Sequence, residues 1–453
     1  MSRKLITNDP PPSVEQKEQK KFISEKRSYK LITPLYGGGV EPNKADPITV
    51  VRATEIRGHL RFWWRATRGG AFDGDLDKMR RHEEEIWGSA AGKDRNGNEK
   101  PGPSKVTVVV KNSKSGKKYS PFEVVPNRHG KPQVKARQGN KVPPYAAFPL
   151  QPEQKEQRIG MQTDSVTDGV SFSLEITYNS DDTSDIHAAL WAWETFGGIG
   201  ARTRRGFGAL QLLTIEKKSD EPGSDPRKEV INSISARDLK TEVKDRLETI
   251  TGTWPPGTPH LSNAMLWKIV VPPKNYRKNN KDDVNRAWQY LVDTLKSFRQ
   301  NRRIKNGKPF GRSYWPEPEA IRKITGDRLP KHAALPNQAD KFPRGQFGLP
   351  IIFKFKDDDK GEPTQTTLQG QDDYDRLASP LILRPLACEG EAVGLAAILE
   401  TPRVPPGGLM LKGAPGNPSV DSSIDPNTEL PNIPPLKNVN EADVLKAFLK
   451  FLE

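Results

Sequence analysis

DIHAALWAWETFGGIGARTRRGFGALQLLTI, residues 185–215, changes character twice. Asp185 to Phe196 is an apolar stretch with helical spacing, and Gly208 to Ile215 reads as a strand. Gly197 to Gly208 joins them as a glycine-rich loop. A helix feeding a strand in this way is one limb of a split βαβ unit, so the other limb is sought upstream. Val170 to Tyr178 alternates like a half-buried strand, and Val106 to Lys111 is a β-branched one. Met79 to Trp87 is a short helical piece. Ala53 to Arg68 has helical spacing and stops at Gly69-Gly70, and Tyr29 to Leu35 reads as the opening strand. Asn112 to Arg158, rich in Lys, Gly and Pro, reads as long loops around short strands.

Downstream a second cycle begins. Ala264 to Val271 reads as a strand and Asp282 to Arg299 as a long amphipathic helix; Phe347 to Phe355, Ala378 to Leu386 and Val393 to Leu399 read as strands. Gly407 to Pro435 is a Pro/Gly/Asn-rich loop, and Glu441 to Leu452 a closing helix. The expectation is an α+β chain of two ferredoxin-like (RRM-like, βαββαβ) domains with long loop insertions. Residues 1–27 form a flexible lead-in, 28–218 the first domain with its glycine-rich loop, 219–259 a linker with one weak helix, and 260–453 the second domain.

Charge narrows the partners. The chain has 453 residues with 72 Lys and Arg against 57 Asp and Glu, a formal net charge of +15. Such a field favours polyanions, nucleic acid before an anionic membrane surface. No apolar run is long enough to span a bilayer, which leaves no membrane in the expected partner set. A single cysteine, Cys388, and scattered histidines exclude a disulfide framework and give no metal or cofactor site. With no apolar signal region at the N-terminus, a cytoplasmic location is expected.

Two segments concentrate the chemistry. In the helix Ala53 to Arg68, Ile56, Leu60 and Trp63 form an apolar stripe, while Arg57, Arg61, Trp64, Arg65 and Arg68 form a second one beside it. Guanidinium groups on one face repel one another unless a polyanion or carboxylates answer them. Arg forks suit phosphates, and an exposed Trp64 would stack on a base. The alternative is a solvated basic face with both tryptophans in the core. In the loop, Gly198 and Gly200 allow close backbone approach and an anion-binding nest, and Arg202, Arg204 and Arg205 add charge. The loop lacks the Gly-Lys-Ser/Thr of a P-loop and follows a helix, so nucleotide triphosphate binding is rejected.

The run Gly197 to Gly208 resembles the C-terminal glycine-rich signature of the RAMP superfamily of CRISPR systems. Ile56 to Arg65 resembles the first-helix motif of the first Cmr subunit of type III-B RNA-guided effector complexes. Arg312 to Glu317, Arg344 to Pro350 and Ser379 to Leu386 fit the same family. The resemblance implies a subunit that holds guide (CRISPR) RNA near its 3′ region, target RNA, or both, beside other RAMP subunits in antiviral defence. The arginine helix and glycine-rich loop would form a basic cleft completed by the second domain, with Lys341, Arg344 and Arg384 as candidates for its other wall. For Arg312 and Trp315 the preferred reading is structural.

No catalytic set emerges. His59, on the border of the apolar stripe, is the best-placed acid or base for metal-independent RNA cleavage. Asp46, in the loop before the first helix, is the candidate for a metal-dependent one, although Asp before Pro47 is a routine turn residue. Three functions therefore stand: a non-catalytic RNA-binding subunit, which is preferred, an endoribonuclease using His59 or Asp46, and a scaffold whose arginines bind acidic partner subunits.

Overall fold

The computed structural model describes residues 21–41, 44–94, 97–217, 227–276, 282–305, 308–333 and 339–452. Most of the expected lead-in and part of the expected linker lie outside them. The first half runs β1 (Phe22–Leu31), α1 (Ala53–Arg68), α2 (Leu76–Trp87), β2 (Thr107–Tyr119), β3 (Phe122–Pro126), β4 (Pro132–Ala136), β5 (Val166–Asn179), α3 (Thr183–Phe196), β6 (Leu210–Lys217) and β7 (Arg227–Val230). Its antiparallel sheet has the order β2-β5-β1-β6-β7, the split βαβ arrangement with an added edge strand. Apolar residues of β5 (Phe172, Leu174, Ile176 and Tyr178) point to the face that α1 and α3 cover.

The first strand is a correction. It was expected at Tyr29 to Leu35 and instead starts at Phe22, inside what read as lead-in. Glu25 and Arg27 occupy its inward positions beside Tyr29 and Leu31, which hides the alternation. They are tolerated because they are paired. Arg27 donates to Glu25 at 2.9 Å and to Glu194 of α3 at 3.0 Å, and Tyr29 donates to Glu194 at 2.6 Å.

A joining segment carries α4 (Ala236–Glu248). Its Val243 and Leu247 enter the main core, and Trp254 lies against the end of α1. The Trp254 Nε1–H donates to the Arg65 carbonyl at 2.9 Å. A Cβ on Gly70 would sit 2.6 Å from the Trp254 ring, so this glycine makes room for the indole just beyond the end of the helix.

The second half holds β8 (Trp267–Val270), α5 (Asp283–Gln300), β9 (Arg302–Lys305), β10 (Lys308–Ser313), α6 (Glu317–Thr325), β11 (Ile351–Phe353), β12 (Thr366–Gly370), β13 (Leu381–Ala387), β14 (Ala392–Ile398), β15 (Leu409–Lys412), β16 (Ser419–Val420), α7 (Pro434–Lys437) and α8 (Val444–Phe451). Two sheets matter. One has the order β13-β14-β8, backed by α5; the other is β11-β12-β15-β16. The stretch expected as a strand of the second ferredoxin-like unit, Phe347 to Phe355, thus belongs to a separate sheet. Among the described residues β8 pairs only with β14, so that unit has three strands where four were expected. The halves share their main core. Trp63 and Trp193 lie in one buried cluster with Ile382, Leu386, Val393 and Leu395. The chain is therefore mixed α+β with antiparallel sheets. Among its described residues no helix is long and apolar enough to cross a membrane.

Candidate nucleic-acid interface

The arginine stripe of α1 faces α2 rather than open solvent. Glu83 of α2, itself buried, accepts from Arg61 and Arg65 at 2.6 Å each. Arg57 donates to the carbonyls of Trp87 and Val106, Arg61 also to that of Gly88, and Arg68 to Ser184 at the start of α3. The charges predicted to await a polyanion are answered within the fold. Trp64 is 0% exposed, and its indole N–H donates to Asp185 at 2.7 Å, so it offers no stacking face. Two neighbouring indoles are both buried because α1 is enclosed by the sheet, α3 and α2.

The glycine-rich loop is built for close approach. At Gly208, φ is +58° and a Cβ would lie 1.9 Å from the Ile199 carbonyl oxygen. The Gly198 carbonyl accepts from Trp193, and the Gly200 N–H donates to Glu55 at 2.6 Å, so that amide serves a carboxylate of the chain itself. Arg204 and Arg205 reach the second half. Arg204 donates to the Ser379 carbonyl at 2.5 Å, and Arg205 to the Leu381 carbonyl at 2.8 Å and to the Ser379 hydroxyl at 2.9 Å. They clamp the entry to β13.

Arg384 makes the reciprocal contact. It was expected on a cleft wall but is 0% exposed, donating to the carbonyls of Gly197 and Leu210 at 2.7 Å and of Trp193 at 3.2 Å. Burial lowers its pKa to about 9. Lys341 bonds Asp421, and Arg344 pairs with Glu317 at 3.1 Å beside the Trp315 and Phe353 rings, so neither is a free wall residue. Trp315 is buried and donates to the Phe298 carbonyl, and Arg312 to that of Ala333, both structural as expected.

What remains open is a small cationic junction. Arg202 is exposed, in left-handed backbone at the loop's tip. Arg299, in the last turn of α5, was missed in the sequence because it reads as ordinary helix-end charge. Burial, and then the nearby charges of Arg299 and Arg202, push Arg205 down to about 9. Among the described residues Arg202, Arg205 and Arg299 have no carboxylate ion-pair partner.

The two candidate catalytic groups do not come together. Asp46 accepts from the backbone N–H of Ile48 and Thr49, which lowers its pKa, as expected of a turn residue. His59 Nε2 lies 3.6 Å from Glu55. Asp46 and Asp164 do line one open groove of about 600 Å³ with Glu41, Lys44 and Lys118, a convergence invisible in the sequence. His59 is not in its lining. Among the described residues no three His, Cys, Asp or Glu side chains are arranged to hold a metal ion.

Comparison with known proteins places the chain. The RAMP superfamily model matches residues 28–211, from within β1 into β6. The CRISPR system Cmr subunit Cmr1-2 of Pyrococcus furiosus is 24% identical over 189 residues, 41% of this chain and 93% of that protein. The crystal structure of Cmr1 from Pyrococcus furiosus in its apo form aligns with 84% of this chain and 88% of its own, at 18% identity and a TM-score of 0.46. A cryo-EM structure of the type III-B Cmr-beta bound to cognate target RNA aligns with 96% of this chain and 100% of its own, at 12% identity and a TM-score of 0.44. Over residues 28–211 the chain thus matches the RAMP superfamily model, and over 189 residues it is similar to a Cmr subunit of a CRISPR system.

Proposed function

We propose that this chain is a non-catalytic RNA-holding subunit of a type III-B CRISPR (Cmr) effector complex. It would contact the guide RNA near its 3′ region, the target RNA, or both, and sit beside other RAMP subunits. The observation that carries this reading is the RAMP match over residues 28–211, which includes the glycine-rich loop. At the junction, Arg202 and Arg299 support it, since guanidinium groups without an answering carboxylate suit a phosphate, while Arg205 beside them is held by Ser379 and Leu381. Both halves contribute to that junction, in keeping with a cleft between two ferredoxin-like units, the second lacking one strand. Sequence is read by base pairing in such a machine, and the protein holds backbone and shape.

The test is binding and integrity of a labelled single-stranded RNA at low and moderate salt, with the full chain. Intact RNA should be retained, and binding should weaken with salt as phosphate neutralisation requires. Arg202→Glu with Arg299→Glu should reduce it. Cut RNA, with cutting lost in His59→Ala or Asp46→Ala, would replace this reading with the nuclease one. No binding by the wild type would leave the scaffold reading.

A further inference from the structure

The free positive charge of this protein is not where its arginines cluster. Residues 105–158 contain 12 Lys and Arg against 3 Asp and Glu, so 54 residues carry +9 of the chain's formal +15. All 12 cationic residues are exposed. Lys111, Lys141 and Lys155 have carboxylate partners in Glu175, Asp168 and Glu153. Among the described residues Lys114, Lys117, Lys118, Lys131, Lys135 and Arg158 have none.

These residues sit on a defined scaffold. β2 is the edge of the main sheet and pairs with β5 from Thr107 opposite Thr177 to Tyr119 opposite Val166. The β3–β4 hairpin follows directly, paired from Phe122–Ala136 to Pro126–Pro132. Phe122 anchors it in a core with Val142, Leu150 and Val166, Val134 packs against that core, and Arg137 and Thr163 both donate to the Phe122 carbonyl. The lysines are thereby displayed outward from a fixed arm. Lysine on an edge strand also discourages strand-to-strand aggregation. That role is met by the residues of β2 and does not account for Lys131 and Lys135 on the separate hairpin.

We infer that the arm of β2, β3 and β4 is the principal RNA-backbone contact of this chain, engaging phosphates through exposed lysines. The inference rests on the RNA-holding reading above and assigns its surface. Lysine is a strongly hydrated point charge that tracks a flexible backbone without base preference, so the contact is sequence-independent.

The experiment compares three full-length proteins on one labelled single-stranded RNA across a salt series. The arm variant carries Lys114→Glu, Lys117→Glu, Lys118→Glu, Lys131→Glu and Lys135→Glu. The control carries the same charge change at exposed lysines elsewhere: Lys240→Glu, Lys274→Glu, Lys354→Glu, Lys412→Glu and Lys446→Glu. The arm variant should lose at least ~10-fold in affinity, with the slope of log affinity against log salt flattened by about 3, and the control much less. Thermal unfolding should be unchanged in both. Equal losses in arm and control would mean that binding follows net charge, and full affinity in the arm variant would place the contact elsewhere; either overturns the inference. Absence of binding by the wild type would overturn the RNA-holding reading itself, and this one with it.

Discussion

The arginine-rich face of α1 and the lysine-rich arm of β2 to β4 look alike in composition and differ in state. On α1, Arg61 and Arg65 share Glu83, and Arg57 and Arg68 are bound to backbone carbonyls. On the arm, Lys114, Lys117, Lys118, Lys131 and Lys135 stand in solvent. Side-chain chemistry explains the division. The guanidinium is planar, weakly hydrated and forked, so it can be half-buried against carbonyls and carboxylates. The ammonium holds its water and stays outside unless a specific partner repays desolvation. A cationic cluster in a sequence therefore means different things by residue type: clustered arginines can be an internal clamp, whereas lysines on an exposed scaffold are available to a ligand.

The comparison can be broken at several points. The largest effect is expected at Arg384, whose loss leaves the Trp193, Gly197 and Leu210 carbonyls without this donor. Arg384→Met should lower stability by about 3 kcal/mol in urea unfolding, from the cost of buried carbonyls that lose a charged donor. An unchanged midpoint would show that the clamp between the halves is dispensable. Glu83→Gln should cost about 2 kcal/mol by weakening two charge-assisted hydrogen bonds, with RNA affinity nearly unchanged. A several-fold rise in affinity would instead reveal the α1 arginines as an RNA surface that Glu83 masks.

Acid should act on the interior and salt on the arm. Burial opposes ionisation of Glu25, but the hydrogen bond to His187 and the charge of Arg27 outweigh it and hold the carboxyl at about 2, below its ordinary 4.5. A depressed folded-state pKa stabilises above the unfolded value, and that stabilisation is lost as pH falls from 4.5 towards 2. Stability measured across this range should drop steeply in the wild type and less so in Glu25→Gln; parallel curves would discount the network. The smallest effect belongs to a single arm residue. Lys131→Ala should weaken RNA binding about 2-fold and flatten the salt slope by ~0.7, the share of one phosphate contact.

Much of the fold was legible. The limits of α1 match the apolar spacing and the Gly69-Gly70 stop, and α3, the loop and β6 follow one another as read. β1 was misplaced because Glu25 and Arg27 read as surface residues. The start of β2 was read as a strand, but the rest of the arm was read as long loops around short strands, because strands whose outward positions are lysine lack apolar alternation. The site was less legible. The stripe on α1 was correct as a pattern, yet its answering acid lies in α2. Arg384 was indistinguishable from a surface cation, since only the packing of β13 against α3 and the glycine-rich loop buries it.

The sequence by itself determined the helix and strand periodicities of the first half, the glycine-rich turn, the basic surplus and the match of residues 28–211 to the RAMP superfamily model. These are local or summed properties, encoded in neighbouring residues and in total charge. Tertiary structure alone decided which cations are spent inside the fold and which remain for a ligand. A side chain's partner is set by distance in space, and Arg61 meets Glu83, Arg384 meets Gly197 and Lys114 meets none of the described acids only once the layers have packed.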